Sequence, residues 1–445
     1  MRRLRPSSVP CLLAALCCVA RAEDAFGPLA QRALRARAGT DTLRVLHLGD
    51  SHSGARSFVA TWRAYLQAQF GDGGTGYGLP WLSAAAPRCG RTAGWKAFQP
   101  TLHNGTDGRS GPGGAYLEAR REGERAWVET GFRRLRLHLL RQPGGGRARV
   151  RVDGREVALA DLEGAPEAVL VQPELPGDCR RLEIECTGGA VRILGVALEN
   201  GPGASYAAFG ANGAQASWLL RSDPAIFAGV LRRELPDLLV LAFGTNEASL
   251  RDFEPEAYRR NLRTLLERIR AALPSAAILL LGPPDADLSR ARPGALADVI
   301  RVQAELARQA GALFVSQREA MGGDGAIHDW ASGGLALRDR VHFTAEGYAR
   351  LARAGVSALF TRLERSKPAA DGGDDPRLAK ARAGAFDLPP QAPRLLGHFE
   401  ASAVEAVPVA RPIYTFRHED GRLLITDDPS KVEGMKGAWV GRGPQ

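Results

Sequence analysis

Cysteine is scarce: six in 445 residues, three of them within the first 18. That leaves Cys89, Cys179 and Cys186, too few and too scattered for a cysteine-ligated metal cluster or a disulfide-dense scaffold. The seven-residue spacing of Cys179 and Cys186 suggests a bridge between neighbouring strands, with Cys89 as a free thiol. The Pro-Arg-Cys-Gly-Arg setting of Cys89 has no base nearby to make it a nucleophile. Beyond the first 22 residues there is no run of about 18 apolar residues, which excludes a later membrane-spanning helix. Nor is there a strong excess of one charge. Removing residues 1–22, which hold four arginines and no acid, would lower the formal charge from +10 to +6. The arginines are spread along helices among glutamates rather than clustered with aromatics, which argues against a nucleic-acid partner.

The first 22 residues follow the export pattern. Arg2, Arg3 and Arg5 form a basic head, residues 9–20 an apolar stretch, and Ala20-Arg21-Ala22 a small-residue cleavage site. Leu16 before Cys17 disfavours a lipid-attachment site. The expected product is periplasmic or secreted, with its mature chain starting at Glu23 and no membrane span after cleavage.

Composition changes along the remaining chain. Arg44–Leu48 reads as a buried strand, followed by a helix over 59–70 and a glycine-rich turn at 71–77. From 99 to 200 the pattern becomes short alternating runs, at 126–130, 134–140, 148–152, 182–186 and 191–198, separated by Asp153-Gly154 and Gly188-Gly189. That is the signature of a β-sandwich. After 200, strands at 238–243, 277–281 and 312–315 alternate with helices at 257–273 and 295–310, and Thr344 caps a closing helix to 363. The expected architecture is α/β: three layers, α/β/α, around a parallel sheet, interrupted by an inserted β-sandwich. The expected segments are an export signal at 1–22, a first catalytic part at 23–98, the sandwich at 99–200 and a second catalytic part at 201–365. A linker at 366–410 and a small C-terminal hairpin module at 411–445 follow.

The chemistry-bearing residues fall at strand ends. Ser51 follows the strand at Gly49-Asp50, where α/β enzymes place nucleophiles. Asp339 and His342 are three residues apart and can present an acid and an imidazole to one site. Asn246 follows the strand at 238–243, and Gly213 sits in a turn where an unobstructed N–H is available, with Gly210 as a competitor. Ligands of open α/β sheets bind at the carboxyl ends of the strands, so these elements converge by topology. Asp50 reads as a turn or cap residue. His47 points to the other side of its strand from its neighbours, so a metal site with Asp50, His52 and His342 is disfavoured. Trp62, Trp81, Trp95, Trp127 and Trp218 are core or sugar-stacking candidates, Trp127 most of all core.

The ordered blocks Gly49-Asp50-Ser51, Gly213, Gly244-x-Asn246 and Asp339-x-x-His342 resemble those of the SGNH (GDSL-type) hydrolases over about 43–98 and 205–363. The resemblance implies Ser51 as nucleophile, His342 as general base, Asp339 as its orienting acid, and an oxyanion hole from Gly213, Asn246 and the Ser51 N–H, with no cofactor or metal. The usual leucine after the serine is His52 here, and the usual aspartate after the asparagine is Glu247. Export, Gly-Asp-Ser-His and the position of the β insertion are similar to the extracytoplasmic peptidoglycan O-acetylesterases, whose insertion is carbohydrate-binding-like. That implies removal of O-acetyl groups from a polysaccharide, with acetylated cell-wall glycan as the partner. The alternatives are an O-acetyltransferase with the same triad, a lipase or thioesterase, and a glycan-binding protein with an idle site.

Overall fold

In the computed structural model, described residues are 25–99, 106–289, 291–369 and 375–388, together with the backbone of three strands beyond residue 413. The expected export signal and residues 389–413 lie outside the described residues. Five parallel strands lie side by side in the order Gly203–Gly210, Thr42–Gly49, Leu238–Ala242, Ala277–Gly282, Leu313–Ser316. Alternation along each strand sends its side chains to two cores. Leu43, Val45, Val240, Leu279 and Leu281 face the helices Phe26–Arg37, Arg56–Phe70 and Ala345–Arg365. Leu46, Leu48, Leu239, Leu241 and Leu280 face the helices Pro224–Glu234, Pro255–Ala272 and Ala295–Gln309. Burial on both faces explains why these strands read as unbroken apolar runs. The three-layer expectation holds.

The insertion is a pair of antiparallel sheets. One carries Arg88–Arg91, Arg125–Phe132, Cys179–Cys186, Arg147–Val152 and Arg155–Asp161. The other is built around Arg134–Arg141 and Val191–Glu199. Leu117, Val128, Leu137, Val150, Ile184 and Ile193 fill the space between them. The second sheet also has a buried outer face, where Leu140, Leu194 and Ala197 meet Ile226, Phe227 and Val230 of the α/β part. Val191–Glu199 is accordingly buried at every position.

Several expectations change. The strands Gly74–Gly78, Arg88–Arg91 and Lys96–Phe98 pair within the sandwich sheets, so the insertion begins near residue 74 rather than 99. Their glycine and charge content hid them. Cys179 and Cys186 occupy opposite ends of one strand and are both free. Seven strand steps separate them by roughly 23 Å, far beyond a disulfide's reach. Trp127 faces outward, because its neighbours Ala126 and Val128 set the inward phase, and it lies beneath the guanidinium groups of Arg88 and Arg181. The expected linker opens with a docked segment: helix Pro376–Ala383 is followed by Phe386, 3% exposed, packed edge-on against Phe70. Arg37 and Lys367 both donate to the Gly384 carbonyl there.

Residues 396–445 form a separate unit. Its expected hairpin, Tyr414–His418 with Leu423–Thr426, is joined by an unforeseen third strand, Gly437–Arg442, paired to the first. Three strands are the smallest sheet with independent prospects of stability.

Candidate active site

The strand Thr42–Gly49 delivers the chain to a tight turn and the four-residue helix Ser51–Gly54. Asp50 caps that helix: its side chain accepts from the His52 N–H, and its own N–H donates to the Ala242 carbonyl. Gly49 must be glycine, since a Cβ there would stand 2.1 Å from Ser53 Oγ and 2.6 Å from the Ala242 oxygen. Gly210 is equally constrained, with Gly54 N 2.0 Å from its would-be Cβ. Gly210 is therefore a packing glycine, whereas Gly213 is exposed and takes φ +75 in an open turn.

Ser51 Oγ and His342 Nε2 lie 3.0 Å apart, and His342 Nδ1 lies 2.8 Å from Asp339 Oδ2. The other oxygen of Asp339 accepts from the Val341 and His342 amides. Burial works to raise this carboxyl, but the amides and the imidazole overcome it and hold Asp339 below its ordinary value. The turn that presents the pair is tied down at both ends. The His342 carbonyl accepts from Leu337, and the carbonyl of Arg340, itself at φ +54, accepts from Asp287. The three side chains that the sequence proposed are thus brought together. His342 and Asp339 keep 38% and 49% of their side-chain surface exposed.

Asn246 lies at the start of the short helix Thr245–Ala248, and its Nδ2 donates to the Ala214 carbonyl at 3.0 Å. An amide carries two N–H bonds, so a second donor remains. Gly244 takes φ +134 between Val299 and Pro283, where a side chain would collide. Asn246 and the Gly213 turn are therefore adjacent at the same strand edge as Ser51.

Sequence reasoning overlooked the polar layer beneath this surface. His47 bridges Ser53 Oγ at 3.0 Å and the Tyr206 hydroxyl at 2.9 Å, and Tyr206 stacks on Trp62. His52 packs its ring 5.4 Å from that of His342 and meets the Tyr348 hydroxyl. Burial drives both His47 and His52 down to about 3, so they stay neutral. Burial also pushes Asp50 up to about 8 and Glu247 up to about 7. Only His47 carried a signal, as a histidine inside an apolar strand. A small, mainly apolar recess is shared by both parts of the fold, with Leu79, Leu82 and Gly113 on one side and Ala208, Phe209 and Gly210 on the other. Among the described residues, no group of three His, Cys, Asp or Glu side chains is arranged to hold a metal.

Residues 176–350 match the family model of GDSL-like lipases and acylhydrolases. That stretch is GDSL-like. The matched stretch includes Gly213, Asn246, Asp339 and His342, while Ser51 lies before it, across the insertion. A solved peptidoglycan O-acetylesterase is 26% identical with a TM-score of 0.66, covering 77% of this chain and 98% of that one. A family two carbohydrate esterase from Cellvibrio japonicus is 13% identical with a TM-score of 0.28, over 62% of this chain and 98% of its own. A lipase/acylhydrolase from Enterococcus faecalis is 22% identical with a TM-score of 0.27, over 34% and 73%. Those two fits are too loose to argue from. No curated protein sequence matches the chain significantly.

Proposed function

We propose that this protein is an exported serine esterase that removes O-acetyl groups from a polysaccharide, with peptidoglycan as the leading substrate. The observation that carries the reading is the Ser51–His342–Asp339 relay, at hydrogen-bonding distance throughout. His342 Nε2 takes the proton of Ser51 Oγ as that oxygen attacks the acetyl carbonyl. Asp339, held anionic, fixes the imidazole tautomer and steadies the imidazolium. The tetrahedral oxyanion is received by the Ser51 and Gly213 N–H groups and the free amide hydrogen of Asn246. His342 then returns its proton to the departing sugar oxygen, leaving an acetyl ester on Ser51. Water, deprotonated by His342, repeats the attack and releases acetate.

The glycan substrate is supported by the likeness to a peptidoglycan O-acetylesterase over 77% of this chain and 98% of that one. The open setting of Asp339 and His342 favours water as the second acceptor and hence hydrolysis over transfer to another sugar. The export pattern of residues 1–22 supports a periplasmic or secreted enzyme, where such glycans are. The test is acetate release by the purified mature protein and by Ser51→Ala, from a small acetyl ester and from O-acetylated peptidoglycan in parallel. Turnover of both, lost in the variant, is the expected result. Turnover of the small ester alone moves the substrate elsewhere, towards a lipase or thioesterase. No turnover of either by folded protein favours a transferase or a glycan-binding protein.

A further inference from the structure

Asn246 and Glu247 are consecutive, and both grip the segment that carries Gly213. Asn246 Nδ2 holds the Ala214 carbonyl, and Glu247 Oε1 accepts from the Ala216 N–H at 2.7 Å. The segment's other backbone bonds here are short-range or weak: Ala214 N–H to Ala211, Trp218 N–H to Gln215, and Ala211 N–H to Gly49 at 3.3 Å. Glu247 is 5% exposed, and its second oxygen, Oε2, is buried without a partner. A carboxyl group is costly to bury in this way unless it does something an apolar side chain cannot.

We propose that Glu247 is a positioning residue of the oxyanion hole, fixing the Gly213 turn against Asn246 by holding the Ala216 amide. This rests on the esterase reading of the site. Gly213 is in an open turn with φ +75, and a Cβ added there would meet nothing nearer than Trp218 at 4.0 Å, so its N–H is aimed only by what anchors the turn on either side. A donor displaced by a fraction of an ångström loses much of its value, because the hole must match the oxyanion and not the ground-state carbonyl. Burial raises the Glu247 carboxyl towards neutrality, and an uncharged acid accepts the Ala216 N–H without setting a negative charge behind the oxyanion. Length matters too. Aspartate, one methylene shorter, would stop roughly 1.5 Å short of Ala216.

The experiment compares wild type, Glu247→Gln, Glu247→Asp and Glu247→Ala. For each, the rate of Ser51 phosphonylation by a fluorophosphonate is measured, along with kcat and KM on a small acetyl ester and the melting temperature. Glutamine keeps the acceptor and should stay within about threefold of wild type. Alanine should lower both kcat and the labelling rate by about 10- to 100-fold, less than the loss of a whole donor, with KM little changed. Aspartate should fall between them. Labelling of the alanine variant at the wild-type rate overturns the proposal, as does a glutamine variant as slow as alanine. If alanine fails to fold, the glutamine and aspartate pair decides: equal rates overturn the proposal. Wild type that labels but leaves O-acetylated glycans untouched sinks the substrate reading alone. Wild type that does not label sinks both.

Discussion

The layer beneath Ser51 and the inserted sandwich bury polar groups by opposite means. Beneath Ser51, His47, His52, Asp50 and Glu247 are each buried without an ion-pair partner, and burial drives each towards its neutral form. In the sandwich and along its seam, charge is kept and paired. Arg136 lies between Glu199 and Glu234, with Arg44 and His138 adding to the two carboxylates. Burial works to raise Glu199 and Glu234, and the hydrogen bonds and charges of their partners pull both below ordinary values. On the outer face of the other sandwich sheet, Arg149 and Arg151 ladder with Glu183 and Glu185 in largely covered pairs. Groups driven towards neutrality beneath Ser51 leave the field there to the Asp339–His342 pair, whereas the paired charges fasten one part of the fold to the other.

The largest expected effect is at the triad. Ser51→Ala should lower acetate release by about four to six orders of magnitude while the melting temperature is retained. Equal activity would remove Ser51 from the chemistry. Next is the seam: Arg136→Met removes the shared guanidinium from two buried carboxylates, leaving Glu199 to Arg44 and Glu234 to His138, and should cost up to about 3–5 kcal/mol in urea unfolding. A near-neutral result would mean that the sandwich docks by apolar contact alone. Asn246→Ala should then cost about 2.7–4 kcal/mol of transition-state stabilisation, read as kcat.

A subtler contrast lies in pH. Asp50 and Glu247 bind protons in the fold that the unfolded chain releases near 4, so their contribution to stability falls as pH rises from about 4 to about 8. His47 and His52 do the reverse. The unfolded chain takes up protons below 6.5 that the fold refuses down to about 3, so stability falls on acidification across that range. The two trends oppose each other between about 4 and 6.5, so the melting temperature should form a plateau there and decline above it. Asp50→Asn, which keeps the acceptor for His52, should flatten the alkaline decline, and an unchanged slope would refute the assignment. The smallest effect is expected from Arg133→Gln on the sandwich, whose pair with Asp178 is exposed on both sides and which should leave the melting curve in place, as exposed pairs contribute little.

Much of this was legible in the chain. Strands buried on both faces are apolar without interruption, so 238–242 and 277–282 announced themselves, and Thr344 does cap the closing helix as its sequence position suggests. The catalytic candidates were legible because short blocks sit at strand ends. Gly203–Gly210, by contrast, was missed as a strand of the parallel sheet: its end glycines follow from close packing, Gly210 against Ser53 and Gly54 and Gly203 against Gly71 and Gly73, a demand made by the partner and not by local propensity. Gly74–Gly78 was missed for the same reason, crowded by the backbone of 198–200 and 206–207.

The sequence by itself determined the period of each strand and helix, the order of the blocks and the supply of a serine, an acid and an imidazole, because those are properties of neighbours along the chain. Only the tertiary structure decided that Cys179 and Cys186 stay apart, that Trp127 faces outward, and that Glu247 reaches the Ala216 amide. The last two depend on contacts between residues remote in sequence, and the first on the two cysteines ending one continuous strand. Burial is decided there as well, and burial keeps the His47 and His52 imidazoles uncharged.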